Sequence, residues 1–141
     1  MTNDGGDFAR SMSIATSGLR AQAGRMRVIS ENIANADSTA PTAGGNPFRR
    51  KVPTFSSALD RTLDAKVVTL GKIRPDQAAF RIKHEPSNPA ADAAGNVKYP
   101  NVNSLVEMTD MREAQRSYEA NLNIITATRR MIQRTLDILK A

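Results

Sequence analysis

The chain of 141 residues holds few residue combinations that could carry out catalysis. His84 is the single histidine and lies at the end of a predicted strand, beside Glu85. A catalytic histidine needs a nucleophile and an orienting carboxylate close to it in space. No recognised serine motif surrounds His84, so we interpret it as an ordinary surface or half-buried histidine.

Paired carboxylates are the second kind of candidate, at Asp60 with Asp64 and at Glu107 with Asp110. Such pairs can transfer protons in general acid–base catalysis, but they are far commoner as charges at helix starts and on surfaces. With one His and no Cys, the chain lacks the residues of a structural zinc site. No glycine-rich phosphate-binding loop is present. We therefore predict a protein that is not an enzyme, with no catalytic, cofactor-binding or metal-binding residues.

Basic residues give the third candidate, because Lys plus Arg number 20 against 14 for Asp plus Glu, a net charge of +6. Phe48 followed by Arg49, Arg50 and Lys51 could stack on bases and neutralise phosphates. One aromatic and three cations form a weak signal, and a solvated surface rich in Arg explains the charge equally simply. A soluble helical module that binds nucleic acid or an anionic surface is kept as the alternative function.

Polar residues also interrupt a heptad row in the last third of the chain. Steps of three and four alternate along this row, which indicates one long amphipathic helix over residues 103–141. Ser104 and Glu107 have the spacing of a capping box at its start. The row is Met108, Met111, Gln115, Tyr118, Leu122, Ile125, Arg129, Ile132, Leu136 and Leu139, with a second row of Ile124, Met131 and Ile138 one position before it.

A similar row predicts a helix over residues 7–35, after six small and polar residues that we predict to be disordered. Gly18 and Gly24 each weaken a helix by about 1 kcal/mol relative to Ala. Either the chain tolerates this cost, or Gly18 permits the close approach of another helix; the sequence leaves both open. The row is Phe8, Met12, Ala15, Leu19, Gln22, Met26, Ile29 and Ile33.

The middle of the chain, residues 36–102, contains all seven Pro residues and reads as a small, irregular β/loop domain. The predicted fold is mainly α with this small β element between the terminal helices. The helices of residues 7–35 and 103–141 are predicted to pair as an antiparallel, coiled-coil-like hairpin. Within the middle we predict a short helix at Ser56–Leu63 and strands at Lys66–Leu70, Ala78–His84 and Asn96–Tyr99.

Two paired helices bury one row of each but leave the rest of each apolar stripe in water. Neighbouring copies would cover it. Gln22 and Gln115 within the rows either set register or lie at a wet interface edge, and Arg129 faces solvent or an acid of another chain. The predicted assembly interface is Phe8, Met12, Leu19, Gln22, Met26, Ile29, Ile33, Met111, Gln115, Tyr118, Leu122, Ile125, Arg129, Ile132, Leu136 and Leu139.

Two motifs resemble the flagellar rod, hook and hook-associated proteins. The first combines Ser17-Gly18-Leu19 with Asn32-Ile33-Ala34-Asn35 at a helix end. The second stretch is similar to proximal rod proteins of the flagellar basal body. It comprises Tyr99-Pro100-Asn101-Val102-Asn103, Glu107-Met108, Asp110-Met111, Glu113-Ala114 and Arg116-Ser117-Tyr118-Glu119-Ala120-Asn121.

The resemblance implies a structural subunit of the proximal rod, the drive shaft that transmits torque across the periplasm. It implies export through the flagellar type III apparatus without a cleaved signal peptide. The implied partners are other copies of the chain, other rod proteins, the membrane-ring base and the rod adaptor protein. Neither nucleic acid nor a membrane span is expected. The implied location is the basal-body rod in the periplasmic space.

Overall fold

The computed structural model describes residues 4–140 and contains two long helices with short strands between them. This agrees with the predicted class, mainly α with a small β element. The elements in chain order are α1 (Asp4–Ala34), β1 (Lys51–Val52), β2 (Phe55–Asp60), β3 (Ala65–Leu70), β4 (Arg74–Pro75), β5 (Arg81–His84), β6 (Asn96–Tyr99) and α2 (Ser104–Lys140).

Helix α1 ends at Ala34, within one residue of the predicted end at Asn35. The Asn35 side-chain amide donates a hydrogen bond to the Glu31 carbonyl at 2.8 Å, and the Asn35 carbonyl accepts from the Ser38 hydroxyl at 3.0 Å. Helix α1 begins at Asp4, three residues earlier than predicted. The expected disorder of residues 1–6 falls, for residues 1–3, outside the described residues.

Helix α2 begins at Ser104, one residue after the start of the predicted range, and the predicted capping box is wrong. The side-chain oxygen of Asn103 accepts the backbone N–H groups of Leu105 at 3.1 Å and Val106 at 3.4 Å. Asn103 is therefore the N-cap. Glu107 cannot reach back to a capping position because its carboxylate is committed to contacts with other segments.

The short helix predicted at Ser56–Leu63 is also wrong, because this segment forms β2 and pairs antiparallel with β3. A spacing of four residues puts side chains on one face of a strand as well as on one face of a helix, so the spacing did not discriminate. The Asp60 side chain then turns the chain, accepting hydrogen bonds from the Thr62 backbone N–H at 2.9 Å and hydroxyl at 2.6 Å.

The remaining strand predictions are confirmed in whole or in part. The strand predicted at Lys66–Leu70 is confirmed as β3 and that at Asn96–Tyr99 as β6. Of Ala78–His84, only Arg81–His84 is a strand, and it pairs antiparallel with β6. The two-residue strands β1 and β4, which also pair antiparallel, were not predicted.

The chain divides into two compact units. The first unit contains α1 up to Met26, the β2–β3 hairpin and α2 from Glu113. In it the hairpin lies along α1, since Arg10 Nε donates to the Leu63 carbonyl at 2.7 Å and the Ser17 hydroxyl accepts the Val68 N–H at 3.2 Å. The second unit contains Arg27–Pro53 and Ile73–Arg112.

The second unit has a small core in which Val97 and Tyr99 of β6 pack with Ala90. The Tyr99 hydroxyl donates a hydrogen bond to Glu85 Oε2 at 2.8 Å, and the Asn88 amide donates to the same oxygen at 3.1 Å. These hydrogen bonds favour the ionised carboxylate. That from Tyr99 is the largest cause holding the pKa of Glu85 below its usual range.

This hydrogen bond makes the stability of the fold pH-dependent in a predictable direction. Because the folded pKa of Glu85 is lowered, its contribution is present above the ordinary glutamate pKa of about 4.3 and is lost as the pH falls through the folded value. Urea unfolding followed by circular dichroism should show a smaller acid loss of stability in Tyr99→Phe than in the parent. Tyr118→Phe, which changes the chain's other tyrosine, serves as control; equal acid losses in all three proteins would contradict the prediction.

Candidate assembly surface

The site begins with Asn32, which lies in the last turn of α1 and is 0% exposed. Its side-chain amide donates to the Lys51 carbonyl at 2.8 Å, and its side-chain oxygen accepts the Lys51 N–H at 2.9 Å. The side chain therefore satisfies both backbone groups of one β1 residue, as a neighbouring strand would. This pairing attaches β1 to the end of α1.

Glu107, in the first turns of α2, is the second buried member and is only 1% exposed. Its Oε2 accepts a hydrogen bond from the Asn32 amide at 3.0 Å, and its Oε1 accepts one from Arg50 Nε at 2.6 Å. Arg50 also lies 3.4 Å from Asp76 and 3.8 Å from Asp110. A buried carboxylate paired in this way has its charge compensated.

The charges in this cluster reinforce each other. Partial burial of the guanidinium acts to lower the pKa of Arg50, but the hydrogen bond and negative charge of Glu107, with those of Asp76, raise it above its ordinary value. Arg50 therefore remains charged throughout the physiological pH range. The Asn32–Glu107–Arg50 set, here called the polar clamp, joins α1, the segment before β1, and α2 within the second unit.

The basic run that motivated the nucleic-acid alternative is engaged within the chain. Arg49 stacks on Phe80, with its guanidinium 4.2 Å from the ring centre, and donates to the Asp76 carbonyl at 2.8 Å. Arg50 belongs to the polar clamp. The Lys51 ammonium makes an ion pair with Glu31. These three cations therefore already have partners.

In the first unit, Gly18 of α1 meets α2. A Cβ atom at Gly18 would lie 2.8 Å from the side-chain nitrogen of Asn121, which is held by a hydrogen bond to the Ser117 carbonyl at 2.9 Å. This favours the alternative in which glycine permits a close helix approach. Further along, Arg25 of α1 pairs with Glu113 of α2 at 3.7 Å.

The predicted interface residues of α1 are half-buried in this chain, apart from Ile29, which is 2% exposed. The side-chain oxygen of Gln22 is buried with no hydrogen-bond donor among the described residues. The half-buried set is Phe8, Met12, Leu19, Gln22, Met26 and Ile33.

The predicted row on α2 separates into an inner and an outer half. Four members turn inward, of which Ile125 is buried and the others are half-buried, while the other six members are exposed. The stripe is therefore only partly covered by this chain. The inner members are Met111, Tyr118, Ile125 and Ile132, and the outer members are Met108, Gln115, Leu122, Arg129, Leu136 and Leu139.

Large apolar side chains are exposed at several positions along α2. Ile138 and Leu139, near its end, are 75% and 77% exposed. Soluble monomers rarely leave so many large apolar side chains in water on one element. The others at least 46% exposed on this helix are Leu105, Val106, Met108, Leu122, Ile124, Met131 and Leu136.

Comparison with known proteins assigns the chain to a family. Residues 12–40 match the family described as "Flagella basal body rod protein", and residues 93–138 match "Flagellar basal body rod FlgEFG protein C-terminal". The flagellar basal-body rod protein FlgC of Agrobacterium fabrum is 52% identical over 128 residues, covering 91% of this chain and 92% of that protein. This chain belongs to the FlgC family of flagellar basal-body rod proteins.

More distant FlgC relatives agree. The Bacillus subtilis protein is 37% identical, covering 92% of this chain, and the Aquifex aeolicus protein is 36% identical, covering 95%. The chain is a structural subunit of the flagellar basal-body rod, and nothing in these relatives supports the nucleic-acid alternative. Within residues 4–140 no helix is long and apolar enough to cross a membrane. The same residues contain no cluster of acidic or histidine side chains that could hold a metal ion.

Sequence reasoning identified Asn32 through the family motif but missed Glu107 and Arg50. Both had been interpreted as ordinary charges, Glu107 as part of a helix start and Arg50 as part of a basic run. One signal was available. A carboxylate four residues after Asn103 and an arginine before a strand can form an ion pair when the fold brings the two ends of the chain together. The sequence gave no way to choose that pairing among the chain's other charges.

Removing the Asn32 amide should destabilise the second unit. Asn32→Ala leaves the part-buried N–H and C=O of Lys51 without their side-chain partner, at about 1 kcal/mol or more for each group. Asn35→Ala, which removes one hydrogen bond at the same helix end, should cost about 1 kcal/mol. Urea unfolding of both variants measures the two losses of stability, and Asn32→Ala should lose more. Equal losses would show that the hydrogen bonds from Asn32 to the Lys51 backbone contribute little to stability.

Proposed function

We propose that this rod subunit forms part of the drive shaft that transmits torque across the periplasm, with its terminal helices packed among those of neighbouring subunits as an inner tube. The exposed apolar surface of α2 is the observation that carries this proposal. Fully burying one Leu or Ile side chain contributes about 1.5–3 kcal/mol. Half-exposed side chains at nine positions therefore represent several kcal/mol that only association can recover.

Within one subunit, α1 and α2 are proposed to pair as an antiparallel, coiled-coil-like hairpin. Two contacts in the first unit support this. Residue 18 of α1 meets residue 121 of α2, while residue 25 meets residue 113, so the numbering rises along one helix as it falls along the other. We propose that residues 7–35 and 103–141 act as one helical domain and residues 36–102 as a small β/loop domain beside it.

The partners proposed from family membership are other copies of the chain, other rod proteins, the rod's base at the membrane ring and the rod adaptor protein. Passage through the flagellar type III export apparatus is proposed on the same ground. The predicted interface residues of both helices remain the proposed contact set. The outer half of the α2 row is its most accessible part, because those side chains are exposed before assembly.

A charge on the outer half of the α2 row should block assembly without unfolding the subunit. Leu122→Asp places a carboxylate on an exposed position, so the isolated chain should keep its helix content, while a rod interface would have to bury the charge at a cost of several kcal/mol. Motility on soft agar, in a strain whose only copy is the variant, should be lost. Normal motility would contradict the proposed role of this surface.

Two matched variants complete the test. Asn123→Asp adds the same charge at the next, exposed position on the polar side of α2 and should leave motility intact. Ile125→Asp places the charge at a buried position and should lower helix content in the isolated chain as well as abolish motility. Circular dichroism of the purified chains separates loss of folding from loss of assembly.

A further inference from the structure

Two exposed apolar flanks run along α2 on either side of the residues it buries. Flank A contains Leu122 and Leu136, with Arg129 midway between them. Leu122 of flank A and Ile124 of the second flank, flank B, are each 46% exposed. Because they are two residues apart on a helix with 3.6 residues per turn, their side chains point about 160° apart. Flank B contains Glu113, Ala120, Ile124, Ala127, Met131 and Ile138, at steps of seven, four, three, four and seven.

The residues between the two flanks are already covered. Ile125 and Thr128 are buried at 8% and 2% exposure, and Ala114 is fully buried. The side of α2 that meets its own chain is thus occupied, and the described residues leave both flanks uncovered. Each α2 therefore has two separate apolar surfaces to bury, facing in nearly opposite directions.

Building on the proposed rod function, we infer that flank A of one copy packs against flank B of a neighbouring copy. A contact between unlike surfaces can be repeated from copy to copy, and it produces a ring or an open helical assembly. A contact of flank A with flank A would instead close a dimer and leave flank B of both copies in water. Joining unlike flanks is the arrangement that buries both with one kind of contact.

The charges on the flanks fix how far one helix is shifted along the other. Arg129 is exposed and makes no ion pair with any described residue. Glu113 on flank B keeps 66% of its side chain exposed while pairing with Arg25, so it remains accessible. Two parallel α2 helices bring Arg129 beside Glu113 of the neighbouring copy when shifted by sixteen residues, about 24 Å at 1.5 Å per residue.

The same shift matches the apolar residues. Leu136, seven residues after Arg129, then lies opposite Ala120 of the neighbouring copy, seven residues after Glu113. The small alanine leaves room for a leucine side chain, as in knobs-into-holes packing. Without any shift, Arg129 would lie against Met131 of the neighbouring copy. An unpaired charge would then be buried among apolar side chains.

A second copy of this chain is the occupant favoured over a different rod protein. The two flanks carry opposite charges, and the shift that pairs Arg129 with Glu113 also places Leu136 opposite the small Ala120. One helix thus supplies both halves of a complementary contact. A different rod protein on either flank is an outcome that the following experiment detects.

Disulfide trapping tests the contact directly, because the chain has no native cysteine. Two differently tagged copies, Leu136→Cys and Ala120→Cys, are expressed together in cells that lack the parent chain, and basal bodies are oxidised with copper phenanthroline. A disulfide requires Cα atoms within about 7 Å. The expected result is a mixed-tag dimer from this pair and none from Leu136→Cys with Ile138→Cys, which tests the unshifted register.

The other outcomes overturn the inference. Same-tag dimers of Leu136→Cys alone would indicate contact between like flanks. Cross-links to a protein of another mass would assign the flank to a different rod protein. The absence of a cross-link in motile cells would refute this contact but not the rod function. Normal motility of the Leu122→Asp variant would count against the rod function itself.

Charge exchange gives a second readout that does not depend on cysteine. Arg129→Glu and Glu113→Arg should each reduce the swarm diameter severalfold, and the double variant should restore most of it, because the pair is then present with reversed signs. Arg25→Gln, which removes the in-chain partner of Glu113 and keeps the Glu113 carboxylate, controls for that contact and should remain motile. Failure of the double variant to recover, with normal helix content, would refute the pairing.

Discussion

The buried side chain of Asn32 is the interaction on which the second unit depends. An α-helix has no edge with which to pair a strand, yet the short strand β1 needs partners for both polar groups of Lys51. The amide of Asn32 supplies a donor and an acceptor at the spacing of a backbone peptide. Its remaining N–H orients Glu107, and Glu107 in turn fixes Arg50. One amide therefore determines where α1, β1 and α2 meet.

This subunit buries a charged side chain and exposes large apolar side chains, which is the reverse of the usual distribution. The polar clamp buries a carboxylate at 1% exposure, while Ile138 and Leu139 stand three-quarters exposed. Burying satisfied polar groups defines a geometry, because hydrogen bonds are directional. Leaving apolar groups outside provides a non-directional driving force for association. A structural subunit needs both a defined junction within its own chain and an apolar surface for contact with its neighbours.

The family motif acquires a physical meaning from these contacts. Its first part places Gly18 where a side chain would collide with Asn121, and Ser17 where its hydroxyl accepts a strand N–H. Its second part contains Asn32 and, three residues later, Asn35, whose amide donates to the Glu31 carbonyl at the helix end. Ser17, Gly18 and Asn32 serve contacts between segments distant in sequence, whereas Asn35 acts within its own helix end. The sequence motif could be recognised without knowing those contacts, but its function could not.

The sequence alone determined the two long helices, the width of their apolar stripes and the family, because helical periodicity and caps are local properties of neighbouring residues. It also located β3 and β6 from their side-chain types, but it mistook β2 for a helix, since its spacing fits both structures. Only the tertiary structure decided which row of α2 turns inward and that Glu107 is buried. A stripe of this width has no local feature that selects the side that turns inward. The choice depends on contacts such as Gly18 with Asn121 and Asn32 with Glu107, which join residues 103 and 75 positions apart in the chain.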